Sequence, residues 1–202
     1  MIESNEPGET SASGEAAAPA DSRKLVYHLG FAERGKLHAL AGDHREALIH
    51  YRAAMGLAVE QGAPEVFFRH YMECSLESLE LSGSLREVLE YCERALAHYD
   101  ARPPEHELAR RDLAHVHLRR GVCLLKLGER EAARTSLSAA LACGGRALPL
   151  ASALLQWLRA GWHVDPARVL AEQRRHDYFT VRADQVDPSR ALELPAALRP
   201  PR

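Results

Sequence analysis

Three stretches of the chain align on a shared glycine: residues 40–55, LAGDHREALIHYRAAM; residues 81–96, LSGSLREVLEYCERAL; and residues 126–141, KLGEREAARTSLSAAL. The shared position is Gly42, Gly83 and Gly128. Glycine readily ends a helix, and a polar or acidic residue that can begin the next helix follows each of the three. The alignment therefore predicts three helical hairpins with a glycine at each corner.

Residues at matching distances from the corners also agree. Five positions after the glycine, side chains small enough for close helix packing occur at Ala47, Val88 and Ala133. Twelve positions after it, the alanines are Ala54, Ala95 and Ala140. These offsets keep the 3.6-residue helical period, so each hairpin carries an apolar face that it cannot bury alone. Stacking of the hairpins would bury these faces.

The first hairpin resembles a tetratricopeptide repeat. The pattern is carried by Gly35 within the first helix, Gly42-Asp43 at the turn, and then Ala47, Tyr51 and Ala54 in steps of four and three. The resemblance extends over about residues 24–142. The corner glycines are spaced more widely than the common repeat of about 34 residues, which longer helices would absorb. The second hairpin is a degenerate copy.

A fourth helix pair is predicted after the third hairpin. Residues 148–161, LPLASALLQWLRAG, form an apolar helical pattern that ends at Gly161, and Asp165-Pro166 supplies an N-cap and a first-turn proline for another helix. Trp157 and Trp162 are expected as core or cap residues, with partner anchoring as the alternative. The fold prediction is an all-α solenoid of about four antiparallel helix pairs: three tetratricopeptide-like repeats and a C-terminal capping pair.

The two ends of the chain differ in composition from this helical region. Residues 1–22 are rich in Ser, Gly, Pro and Ala and carry only acidic charge, so we expect a disordered tail. Residues 23–178 form the helical domain. Residues 179–202 have few periodic apolar positions and are expected to be mostly irregular, with at most a short helix near Ala191.

Composition excludes several classes of partner. A formal net charge of -2 provides no field to gather nucleic acid or an anionic membrane surface, and no stretch is apolar enough to cross a bilayer. The four cysteines lie far apart without a C-x-x-C pair, so they are expected to be apolar fillers rather than zinc ligands or disulfides. The N-terminus does not resemble a secretory signal, and a cytoplasmic location is expected.

No catalytic set, cofactor site or metal site is predicted. The stretch from Gly30 to Leu37 is one residue short of a phosphate-binding loop, and Leu37 replaces the hydroxyl that binds Mg²⁺. His106-Glu107 lacks the second histidine of a zinc motif, and His38 and His117 fall on helix-packing positions. An enzyme is therefore the least favoured class.

The resemblance implies a binding surface, because the first helix of each tetratricopeptide pair lines a concave groove. Carried onto this chain, the groove residues of the second repeat are His70, Glu73, Glu77 and Glu80. The first repeat contributes Lys36, and the third contributes His115, Leu118, Arg119 and Val122. Leu29, Ala32, Ala39 and Leu125 complete the groove.

The three glutamates of the second repeat recur at helical steps and so share one face. Stacked like charges are unfavourable without a compensating cation. Two interpretations remain open: a face that is solvated or neutralised by a neighbouring residue such as Arg119, and a site for a basic peptide.

The leading functional hypothesis is a scaffold that binds a basic or amphipathic segment of another protein in its groove. The alternatives are a secretion-type chaperone that keeps a client protein soluble, and a sensory or regulatory module. Homo-oligomerisation is left open.

Overall fold

The computed structural model describes residues 20–144 and 148–199, with side chains from residue 27 onward. The acidic tail predicted for residues 1–22 lies outside this part of the chain, apart from its last three residues, which begin the first helix.

The described chain is all-helical, as predicted. Within the described residues, eight α-helices follow one another: α1 Ala20–Leu40, α2 His44–Glu60, α3 Glu65–Leu81, α4 Leu85–Ala101, α5 Glu107–Lys126, α6 Arg130–Gly144, α7 Pro149–Arg159 and α8 Pro166–Arg175. Each helix packs against the next one in the chain, and short connections make such neighbours antiparallel. Helix α5 also contacts α8, and α1 contacts α3.

The three predicted corners are confirmed. Gly42, Gly83 and Gly128 lie in the turns after α1, α3 and α5, with φ angles of 81°, 87° and 80°. This left-handed backbone strongly favours glycine. In the first turn, the backbone N–H of Asp43 donates to the carbonyl of His38 at 2.9 Å, and its carboxylate accepts the N–H of Glu46 at 3.1 Å. The same turn thus ends one helix and caps the next.

Close packing within the hairpins follows the small residues. Ala47, Val88 and Ala133 are fully buried, as their matching positions predict. A Cβ atom on Gly35 would lie 2.6 Å from the Tyr51 ring, so glycine there lets α1 and α2 approach closely. Cys74, Cys92 and Cys123 are also buried, and burial raises the pKa of Cys74 and Cys92 to about 12. These three thiols behave as the apolar fillers that were expected.

The last helix pair has the predicted boundaries. Gly161 lies in the turn after α7 with φ of 68°, and the Asp165 carboxylate accepts the backbone N–H of Arg168 at 2.9 Å to cap α8. The Arg168 guanidinium contacts both Trp157 and Trp162, at 4.6 and 4.8 Å from the ring centroids. Trp157 is buried and Trp162 is exposed, and the contact of Arg168 with both rings anchors α8 to the end of α7.

After α8 the chain turns back towards its beginning. Residues 177–199, here called the C-terminal segment, contain three short 3-10 turns at Ala183–Gln185, Pro188–Arg190 and Ala196–Leu198. The segment passes α3 and α5 and then reaches α1, where the backbone N–H of Leu192 donates to the carbonyl of Gly30 at 3.0 Å. It therefore joins the last helix pair to the first.

No helix in the described part of the chain is both long and apolar enough to cross a membrane.

Candidate functional site

The predicted acidic stripe of Glu73, Glu77 and Glu80 lies on α3 and is neutralised within the chain. All three carboxylates have donors from other elements, and Glu77 and Glu80 are only 5% and 3% exposed. Of the two interpretations open from sequence, internal pairing is the arrangement that the structure shows. The donors come from α5, from α8 and from the C-terminal segment.

Glu80 connects three distant parts of the chain. Its Oε1 accepts hydrogen bonds from the Lys126 ammonium of α5 at 2.7 Å and from the Gln173 amide of α8 at 2.6 Å. Its Oε2 accepts the Tyr178 hydroxyl at 2.8 Å, where the C-terminal segment begins. A buried carboxylate with three donors fixes the direction in which the segment leaves α8.

Glu77 binds the backbone of the C-terminal segment. One carboxylate oxygen, Oε2, accepts the consecutive N–H groups of Thr180 and Val181 at 2.7 and 3.1 Å. Burial raises the pKa of Glu77 to about 7, although these two hydrogen bonds and Arg119 act in the opposite direction. The contact recognises peptide N–H groups, so it does not depend on the side chains at those two positions.

Glu73 pairs with Arg119 of α5, whose Nη2 donates to Oε2 at 2.5 Å. The Arg119 side chain is 9% exposed, and its guanidinium lies 5.7 Å from the centre of the Tyr178 ring. Arg119 is therefore held between α3 and the start of the C-terminal segment, as the compensating cation that the sequence suggested.

Of the other groove positions on α1 and α3, Ala32 is buried, and four are half-buried: Leu29, Lys36, Ala39 and His70. The Lys36 ammonium donates to Glu33 Oε1 at 3.0 Å on the same helix. Burial lowers the pKa of His70. His70 lies one helical turn before Glu73 on α3, and Lys36 lies one turn after Glu33 on α1.

The groove positions on α5 separate into two groups. His115 is exposed. Leu118 and Val122 belong to the main hydrophobic core together with residues of α6 and α7, and they are 6% and 0% exposed. In this conformation the two apolar side chains stabilise helix packing and are inaccessible to a partner.

The far half of the C-terminal segment packs on α1 through leucines. Leu194 is buried in a cluster with Phe31 and Ala32, and Leu192 lies against Gly30. A Cβ atom on Gly30 would come within 2.5 Å of the Leu192 side chain, so glycine provides the space for it. The segment thus occupies the α1 surface with two apolar side chains spaced two residues apart.

Polar contacts border this apolar contact. Glu33 Oε2 accepts the backbone N–H of Asp187 at 3.2 Å, and Arg34 forms an ion pair with Glu193. Near the end of the segment, the Arg199 guanidinium donates to Glu46 Oε2 at 3.1 Å. These pairs are exposed and fix the register of the segment more than they stabilise it.

A cleft of about 340 Å³ opens beside Glu77, between the ends of α1 and α3 and the C-terminal segment. Its walls include Ala39, Leu81, Phe179 and Arg182. Glu77 also lines this cleft.

Sequence reasoning missed the residues of the C-terminal segment that complete this surface. They are Tyr178, Thr180, Val181, Leu192 and Leu194. The segment has no helical period, so no pattern connected it to α1 or α3. One signal was present: the α3 glutamates required donors that the three hairpins did not all supply.

This surface holds the chain's own extended C-terminal segment through carboxylate acceptors for backbone N–H groups and a shallow apolar contact with Leu192 and Leu194. It also brings together His38, His50 and Glu193, which have potential metal-binding atoms within 4.8 Å of one another.

Comparisons of the chain with protein-family models, curated proteins and solved structures found no match.

Proposed function

We propose that this chain is a tetratricopeptide-like α-solenoid scaffold that binds an extended segment of a partner protein, acting by binding and not by catalysis. The binding surface is the face of α1, α3 and α5 that its own C-terminal segment covers. Three glycine corners at matching positions and consecutive antiparallel helix contacts support the repeat architecture.

The observation that carries the proposal is the pair of backbone hydrogen bonds to Glu77. A single buried carboxylate accepts the N–H groups of two consecutive residues, Thr180 and Val181. Any peptide with two free backbone N–H groups can make this contact, because no side chain of the ligand takes part in it. The C-terminal segment therefore serves as an intramolecular example of the ligand.

A partner must replace the C-terminal segment to occupy the same face. The free-energy cost of displacing the segment is small where its contacts are exposed, as at Arg34–Glu193 and Arg199–Glu46. This cost is larger at the start of the segment, where the buried Glu80 binds Lys126, Gln173 and Tyr178. We therefore expect exchange over the stretch from Thr180 to Arg199, while Tyr178 stays in place. An occupied face of this kind suits a regulated adaptor.

The chemistry of the surface defines the partner segment. It should be extended, carry two apolar side chains two residues apart for the Leu192 and Leu194 positions, and provide a basic residue to pair with Glu46. These features describe an amphipathic segment with basic character. The basic residue is required by Glu46 and not by the acidic stripe, whose carboxylates are paired within the chain.

A synthetic, fluorescently labelled peptide of residues 177–199 tests the proposal. We would measure its binding by fluorescence polarisation to the full-length protein and to a full-length Leu192→Ser/Leu194→Ser variant, in which the covalent segment has lost its apolar anchors. The variant should bind the added peptide more tightly than the unmodified protein, because its face is more often open.

Two further variants locate the site. Glu77→Lys added to the double variant should abolish peptide binding, because a cation cannot accept the two N–H groups. Glu93→Lys, an exposed change on α4, should leave binding unchanged. If the peptide fails to bind the double variant while its helical circular dichroism is intact, the proposed surface is not a peptide site.

A further inference from the structure

Two histidines with buried, unpaired nitrogens face a carboxylate at the junction of α1, α2 and the C-terminal segment. They are His38 of α1, His50 of α2 and Glu193 of the segment, and one ligand atom of each lies within 4.8 Å of the other two. His50 is fully buried, and the His38 and His50 rings are 4.9 Å apart between centroids. Within the described residues, neither Nε2 atom has a hydrogen-bond partner.

The tautomer of His50 is fixed by its surroundings. Its Nδ1 lies 2.9 Å from the backbone carbonyl of Glu46, which can only accept a hydrogen bond, so Nδ1 carries the proton. The Nε2 atom therefore presents its lone pair towards Glu193, whose Oε2 is 3.8 Å away. A backbone carbonyl on the other ring nitrogen is the usual support of a metal-binding histidine.

We propose that His38, His50 and Glu193 form a binding site for a divalent metal ion of the zinc class. Two imidazoles and one carboxylate suit zinc rather than magnesium or calcium, and water would take the fourth position. Ligand atoms around tetrahedral zinc are about 3.5 Å apart. Glu193 is exposed and lies outside the helices, so its side chain can close the remaining distance.

The two arginines near Glu193 are compatible with a metal ion at this site and influence its affinity for the metal. Arg34 pairs with Oε1, which leaves Oε2 for the metal and supports the carboxylate from behind. Arg199 lies 3.6 Å from Oε2 and competes for it, but it also has Glu46 as a partner at 3.1 Å. Removing the Arg199 charge should therefore strengthen metal binding.

The site would fasten the C-terminal segment to the first helix pair, because the metal joins α1 and α2 to Glu193. That consequence rests on the proposed function: bound metal would slow replacement of the segment by a partner. The metal site can be tested without the proposed function, because zinc titration uses no peptide. The peptide experiment can likewise be run with a chelator, so the two proposals can fail separately.

Zinc titration by calorimetry tests the site in the full-length protein after chelator treatment. A Cys143→Ser background removes the one half-buried thiol. We expect one zinc ion per chain, a rise in melting temperature on zinc addition, and the visible absorption of tetrahedral Co²⁺ when cobalt replaces zinc. Glu193→Gln and His38→Gln should each weaken zinc binding at least about tenfold.

Two variants separate this site from unspecific binding. Arg199→Gln should tighten zinc binding, an effect that a purely structural role of the cluster does not produce. His176→Gln should leave binding unchanged, although His176 also lies 3.1 Å from a carboxylate, that of Glu172. The proposal is overturned if the protein binds no zinc at one ion per chain, or if Glu193→Gln, whose side chain is exposed, binds as tightly as the unmodified protein.

Discussion

Two carboxylates of α3 hold the start of the C-terminal segment by different means. Glu80 gathers charged and polar side chains, whereas Glu77 accepts only backbone N–H groups from the segment. Both are buried, so we expect replacement of either one to change the stability of the protein.

Glu77 should make the stability of the protein depend on pH. Burial raises its pKa from 4.5 to about 7, so between these values the folded protein holds a proton that the unfolded chain has released. This contribution to the free energy of unfolding is fully present below pH 4.5 and is lost as the pH rises through 7. Its steepest change is about 1.4 kcal/mol per pH unit.

Urea unfolding of the protein and of Glu77→Gln, across this pH range, measures the effect. The difference in unfolding free energy between the two proteins should change in favour of the variant as the pH rises, because the amide cannot ionise. A pH-independent difference would show that Glu77 titrates normally.

Replacement of the buried Glu80 by an apolar residue should strongly destabilise the protein. Glu80→Leu leaves the Lys126 ammonium, whose side chain is 7% exposed, without its partner and also removes the acceptor of Gln173 and Tyr178. We expect a loss of about 3–5 kcal/mol in the free energy of unfolding. Glu93→Leu on the exposed side of α4 is the control and should change it by less than about 0.5 kcal/mol. Equal effects would contradict the described burial.

At the level of helices and turns, local signals were sufficient to predict the all-helical class and the glycine turns between helices. The left-handed glycines end α1, α3 and α5, and Asp165-Pro166 begins α8. These features act over a few residues, so their meaning does not depend on distant parts of the chain.

The corner at Gly128 should resist substitution. Gly128→Ala places a Cβ atom at φ of 80° and should lower the free energy of unfolding by about 1–2 kcal/mol, even though nothing lies within 4 Å to clash with it. Gly56 lies inside α2 in open space, so Gly56→Ala should instead raise stability by about 0.5–1 kcal/mol. Thermal or urea unfolding of both variants measures whether their unfolding free energies change in opposite directions. A stabilising effect of Gly128→Ala would contradict the left-handed turn at this position.

At the level of the whole molecule, the candidate site could be predicted only in part. The acidic stripe followed from helical spacing, and Arg119 was identified as a neutralising residue. The position of the C-terminal segment was not predicted, because its contacts join residues far apart in the chain, such as Glu77 with Val181 and Gly30 with Leu192. A non-periodic stretch gives no indication of which helix it will pack on, since extended backbone bonds to whatever acceptors the folded surface offers.

Amide hydrogen exchange of the full-length protein, measured by NMR, tests the central claim most directly. If the C-terminal segment covers α3 and α1, the amides of Thr180, Val181 and Leu192 should exchange much more slowly than that of the exposed Ala183 in the same segment. Exchange of all four amides at the rate of an unstructured chain would contradict it.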